Sequence, residues 1–283
     1  MAPILALWLL TALAAPGAEP PAAIDRAFAR LYNFDFRDAH SILDEHIRAD
    51  PAYPVTYSVR AAAHLFSELY RLKILETEFF VGDEKVTDKK KLKPDPAVRQ
   101  AFLSAVEEAR QRANARLASS PGDRDAMFAL CMAQGLLTDY AMLIDRKYFR
   151  SFSLSRQTQQ YARKLLGLNP PVYDAYLTLG TVEYVVGSMN FIFRLFVRFD
   201  QIQGSKQKGI ENLQKVVTGG RYYRPFAKIL LSVIYLREKK PAQAQALLAE
   251  LVREFPENPL LQHELTRVTE QLSRAQPGRG RAR

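Results

Sequence analysis

The sequence predicts an all-α fold, a right-handed α-solenoid of about five helical pairs finished by a C-terminal capping helix, and three observations carry that expectation. Sustained apolar alternation at period two, the mark of a half-buried strand, is almost missing from the chain. Two-helix units close on proline repeatedly, at Pro51, Pro121, Pro170 and Pro256. The last helical stretch, Leu260 to Ser273 with QHELTRVTEQLSR, is polar enough to face water, as the open end of a helical stack requires. With 283 residues and a hydrophobic content of 48%, the chain has ample apolar surface for a core, which excludes disorder of the whole.

The first element is a leader. MAPILALWLLTALAAPGAEP runs apolar from Pro3 to Ala15 and ends in small residues, the layout of a secretory signal peptide over 1–18, with the mature chain beginning between Ala15 and Glu19. No Lys or Arg precedes the run, so an uncleaved N-terminal anchor is the alternative, although the run is short against the ~30 Å hydrocarbon layer. No cysteine follows it, which argues against a lipid-anchored lipoprotein. Export permits disulfides, yet Cys131 is the only cysteine, so the fold is held by its core. The expected location is exported, periplasmic or associated with the cell envelope.

Residues 19–273 form the repeat domain, counted from Ala22. Its clearest copy is AKILLSVIYLREKKPAQAQALLAELVREFPENP, residues 227–259. Ser232 is small, Tyr235 follows, Ala244 sits twelve residues beyond Ser232, Leu248 and Leu251 continue the apolar face, and Pro256 ends the unit. This resembles the tetratricopeptide repeat, a helix-turn-helix unit of about 34 residues. The resemblance implies that a small residue in the first helix meets an alanine in the second where two backbones cross closely. Weaker copies place Gly180, Cys131 and Ala61 at the small position, while Ala39 and Ala109 each lie twelve residues before their proline.

Two insertions break the period. VGDEKVTDKKKLKPDP at 81–96 mixes five lysines with four acids and reads as a solvated loop between a long helix, from about Thr56 to Phe80, and a helix starting near Pro96. The second insertion, 188–203, contains NFIFRLFVRF at 190–199, apolar almost all round a helix except for Arg194 and Arg198. A helix apolar on most sides is buried by protein, so it is expected to fold into the solenoid between the fourth and fifth pairs. A membrane surface and a partner's docking site are the other readings. Followed by GSKQKGIENLQKVV, this arrangement over 172–265 is similar to a family of mitochondrial outer-membrane tetratricopeptide proteins implicated in clearing inclusion bodies, a similarity that implies membrane proximity.

No catalytic, cofactor-binding or metal-binding residue is expected. The four histidines, His40, His46, His64 and His263, include no pair four apart with the intervening glutamate of a zinc helix; His40 and Asp44 are four apart and read as a helix-surface pair. Cys131 reads as a buried packing residue. Neither a nucleophile elbow nor a P-loop is present, and Glu107 with Glu108, or Glu76 with Glu78, read as solvated faces. The net charge of +10 is partly gathered in the tail 274–283, with Arg274, Arg279, Arg281 and Arg283 after the last acid, Glu270. That tail reads as a disordered solubilising end, contact with anionic lipid being the other reading; export argues against nucleic acid as a partner.

Aromatic residues recur on the first helices: Tyr57, Phe66, Tyr70, Phe128, Tyr140, Tyr173, Tyr176 and Tyr184. First helices line the concave side of such solenoids, so Tyr57, Tyr70, Tyr140, Tyr176 and Tyr184, together with Arg194 and Arg198, are the candidate partner-binding residues. The expected function is that of an exported non-enzymatic scaffold holding a protein or peptide in its groove. The alternatives are a membrane-surface protein held by 190–199 and the basic tail, and a carrier of a small apolar ligand.

Overall fold

The computed structural model describes residues 21–76, 92–189 and 204–275. Among these residues there are eleven helices and no strand. The helices pack in neighbouring pairs: α1 (Ala22–Tyr32) with α2 (Phe36–Ala49), α3 (Pro54–Arg71) with α4 (Pro96–Ser119), and α5 (Arg124–Asp139) with α6 (Tyr148–Leu166). They continue as α7 (Tyr176–Ser188) with α8 (Lys206–Gly219), α9 (Arg224–Arg237) with α10 (Pro241–Glu254), and α11 (Pro259–Ala275) against α10. A π-helical turn, Tyr140–Ile144, extends α5, and a 3-10 turn, Tyr173–Ala175, leads into α7. This pairing is consistent with an α-helical repeat.

Local chemistry explains where the helices start and stop. Asp35, Asp95, Asp123 and Ser205 each accept a hydrogen bond from a backbone N–H of the first turn of α2, α4, α5 and α8, satisfying donors that have no partner inside the helix. Pro51, Pro121 and Pro256 each stand two residues beyond the last residue of a second helix, where a missing N–H costs nothing. The first helix of the second pair is shorter than the sequence suggests and ends at Arg71 rather than near Phe80. Lys73 takes a left-handed φ of 58°, which turns the N–H groups of Lys73 and Ile74 back onto the carbonyls of Tyr70 and Leu69 and closes the helix. The same closure, on Phe34 and Lys239, ends α1 and α9.

The pairs are held by small residues at their crossings. Ala61, Ala109 and Ala244 are fully buried, and Ser232 nearly so, its hydroxyl donating to the Lys228 carbonyl at 2.7 Å. The first pair repeats the twelve-residue spacing with Ala27 and Ala39, both fully buried. Around these contacts the apolar core runs without a break from Ile24 to Ala175, with Phe102, Leu43, Leu65 and Leu165 at its centre, and continues into smaller clusters about Leu213 and Leu251. The span Arg124–Ile144 is long and apolar enough to cross a membrane, but 67% of its most apolar 18-residue window is buried inside the protein, as a core helix would be.

Candidate functional site

Among the described residues, aromatic side chains from elements far apart in the chain pack against one another. Phe28 on α1 stacks on Tyr222, just before α9, at 4.8 Å between centroids, and Phe128 on α5 meets the same ring at 5.5 Å. Phe66 on α3 meets Phe226 on α9 at 5.7 Å, and Tyr32 meets Phe255 at 5.1 Å. The first helical pair is therefore joined to the last. Hydrogen bonds reinforce the junction: the Tyr32 hydroxyl donates to the Tyr222 carbonyl at 2.8 Å, and Arg221 donates to both carboxylate oxygens of Asp25 at 3.1 and 2.8 Å. Asn258 caps α11 by accepting from the N–H groups of Leu260 and Leu261 while it donates to the Tyr32 carbonyl at 2.7 Å.

Of the five candidate tyrosines, three are packed into the core. Tyr57 is buried, its hydroxyl donating to the Pro51 carbonyl at 2.9 Å and its ring lying 4.4 Å below the Arg112 guanidinium. Tyr140 is buried against Phe102 with rings nearly parallel at 5.1 Å, and Tyr184 is buried with its hydroxyl donating to Glu238 at 3.0 Å. A tyrosine fully wrapped by its own chain has little surface to offer a partner, so these three carry packing. Tyr70 and Tyr176 are the two with surface to offer. Arg194 and Arg198, with the whole stretch 190–203, lie outside the described residues, as do the signal peptide and residues 276–283 of the basic tail; Arg274 and Ala275, placed in that tail by the sequence, instead complete α11, with Arg274 paired to Glu270 one turn back at 3.3 Å.

Tyr70 is 41% exposed and forms one wall of a cleft where the end of α3 faces the start of α11. Leu75 and Leu260 supply further apolar surface, while Arg71, Lys73 and Glu76 place both signs of charge on the rim. Phe34 steadies the Tyr70 ring edge-on at 5.0 Å. Arg71 is itself fixed by two 2.7 Å bonds to the buried Glu68 carboxylate, which also accepts the Asp95 N–H; the Arg71 guanidinium holds the Glu68 carboxyl below the usual carboxylate range. On another face Tyr173 and Tyr176 sit 5.8 Å apart, with the Lys215 ammonium 4.6 Å from the Tyr176 ring. The sequence flagged Tyr70 but gave no sign that Leu260, far along the chain, would face it.

The remaining candidates for chemistry resolve as follows. Cys131 is buried, and burial pushes its thiol up to about 12, far from the thiolate a nucleophile needs. Asp44 pairs with Arg60 rather than with His40. His40 instead meets His64 of α3 with ring centroids 4.4 Å apart. Burial first, then the neighbouring imidazole and Arg60, push His64 down to about 4, and burial with Arg60 lowers His40. Because the folded pKa lies below the unfolded one, this pair's stability contribution is complete above about pH 6.5 and is lost as pH falls towards 4. The melting temperature is expected to fall over that window, and His64→Gln, which cannot take a proton there, is expected to flatten the fall; an identical pH profile in the variant excludes the pair as its cause. Asp139, which ends α5, has its carboxyl raised to about 7 by burial alone. Among the described residues no group of three His, Cys, Asp or Glu side chains could hold a metal ion. No protein-family model matches the chain, and no curated protein matches it.

Proposed function

We propose that the chain is an exported, non-catalytic helical-repeat scaffold of the tetratricopeptide kind, five right-handed pairs and a capping helix, that holds a protein or peptide partner in the cell envelope. The cleft between α3 and α11 carries this reading. It joins an exposed tyrosine to two leucines and a rim of mixed charge, the composition of a peptide-binding patch, beside the Asn258–Tyr32 hydrogen bond that ties the start of α11 to α1. The export half of the proposal rests on the leader sequence, and the repeat assignment on the small residues at the crossings.

A displayed library of random peptides panned against the purified mature chain tests the reading. Enriched peptides are expected to bind with an affinity that falls tenfold or more in Tyr70→Ala, the loss of one aromatic anchor being worth about 2 kcal/mol. Because the Tyr70 ring also packs on Phe34, binding is compared well below the variant's melting temperature, where it is folded. Failure to enrich any peptide, or enriched peptides indifferent to Tyr70→Ala and to Leu260→Asp, removes the cleft as the binding site.

A further inference from the structure

From Arg146 to Tyr173 the chain carries six cations, Arg146, Lys147, Arg150, Arg156, Arg163 and Lys164, and no acid. Four of these, Arg150, Arg156, Arg163 and Lys164, lie in α6, the second helix of its pair, and Arg146 and Lys147 stand just before it. At the start of the helix the basic surface meets an apolar one. Phe149 is 90% exposed and Tyr148 is 40% exposed, between Lys147 and Arg150, both exposed. No other large apolar side chain among the described residues stands so far into solvent. Asp145 lies 3.8 Å from the Lys147 ammonium. One turn further on, Phe152 turns inward to pack with Val182, Val186 and Met189, so the edge is anchored to α7.

An exposed phenylalanine flanked by tyrosine, lysine and arginine has a definite physical preference. The ring gains by leaving water, the phenol settles at a headgroup boundary, and the cations gain from negative charge at the same depth. A protein interface of ordinary kind depletes lysine at its centre and needs a broad flat patch, whereas one ring on a basic ridge needs only a soft anionic surface. We infer that the N-terminal edge of α6 docks the protein on an anionic phospholipid bilayer, with Phe149 inserted at the headgroup boundary and Lys147 and Arg150 over the lipid phosphates. Docking through α6 leaves the cleft at Tyr70, on other elements, to a different ligand.

The test is sedimentation of the purified mature chain with vesicles of phosphatidylcholine alone and with the same vesicles carrying phosphatidylglycerol. Binding is expected to the phosphatidylglycerol vesicles only, and to fall steeply as salt is raised. Phe149→Asp and the double change Lys147→Glu with Arg150→Glu are each expected to weaken it roughly tenfold. Both alter exposed side chains, so their melting temperatures should match the wild type. Equal binding to the two vesicle types overturns the inference, as does binding unaffected by Phe149→Asp, which assigns attachment to another part of the chain. Failure to sediment with either vesicle also overturns it and leaves the edge as a protein-docking patch, separable from the peptide result at Tyr70.

Discussion

Replacing Asp174 by alanine is expected to destabilise the protein by about 4 kcal/mol, a fall in melting temperature of ~8–16 °C. Asp174 is buried in the 3-10 turn before α7, and its two carboxylate oxygens accept the backbone N–H groups of Arg221, Tyr222 and Tyr223 at 2.9, 2.8 and 2.6 Å. Alanine leaves all three donors without a partner, at a cost of about 1–3 kcal/mol for each one that water does not reach. Asparagine keeps the shape and one acceptor oxygen but turns an amide towards the third donor, so Asp174→Asn is expected to lose about half as much. The effect reaches beyond the turn, because residues 221–223 receive α1: Tyr222 stacks on Phe28 and accepts the Tyr32 hydroxyl, and Arg221 pairs with Asp25. Amide exchange in α1 should therefore quicken in Asp174→Ala more than exchange in α4. Unchanged protection of α1 in a destabilised variant removes the claim that this turn secures the first pair.

How much of this was legible in the residues depends on distance along the chain. The helical pairs were, since proline stops and small residues at the crossings are local signals: Ser232 and Ala244 are twelve apart, and so are Ala39 and the unremarked Ala27. The end of α3 was missed because its stop is a lysine rather than a glycine, and an L-residue in the left-handed region announces itself by no residue type. The junction of the first and last pairs was not legible at all. Its contacts join positions 190 to 226 residues apart, and no periodicity in the sequence encodes which aromatic faces which. For that reason the tyrosines proposed from their place on first helices divided between core and surface, while Phe149, on a second helix, went unremarked. A two-leucine, one-tyrosine cleft assembled from α3 and α11 is likewise a product of closure rather than of either helix.

Replacing Gly209 by alanine is expected to destabilise the protein by about 3 kcal/mol, lowering its melting temperature by ~6–12 °C, whereas Gly135→Ala is expected to raise it by ~2–4 °C. In both helices alanine gains ~1 kcal/mol in intrinsic propensity, so the sign is decided by what the new methyl group meets. At Gly209 in α8 it would lie 2.7 Å from the Tyr184 Cβ and backbone nitrogen and 2.8 Å from the Gly180 carbonyl oxygen. Those atoms belong to backbone or adjoin it, and they cannot move without separating α7 from α8. Gly187 meets the backbone of Ser205 and Lys206, and Gly180 that of Gly209 and Leu213, so the two helices touch along a seam of glycines in which Gly180, assigned to the small position, faces Gly209. Beside the seam the Ser205 N–H donates to the Glu183 carbonyl at 3.0 Å. At Gly135 in α5 the nearest atom to an added methyl is the Thr158 Cγ2 at 3.6 Å, ordinary van der Waals contact that leaves the propensity gain intact. Thermal melts of the two variants side by side give the answer: a Gly209→Ala protein as stable as the wild type means that α7 and α8 are not packed backbone to backbone, and the assignment of Gly180 to the repeat's small position falls with it.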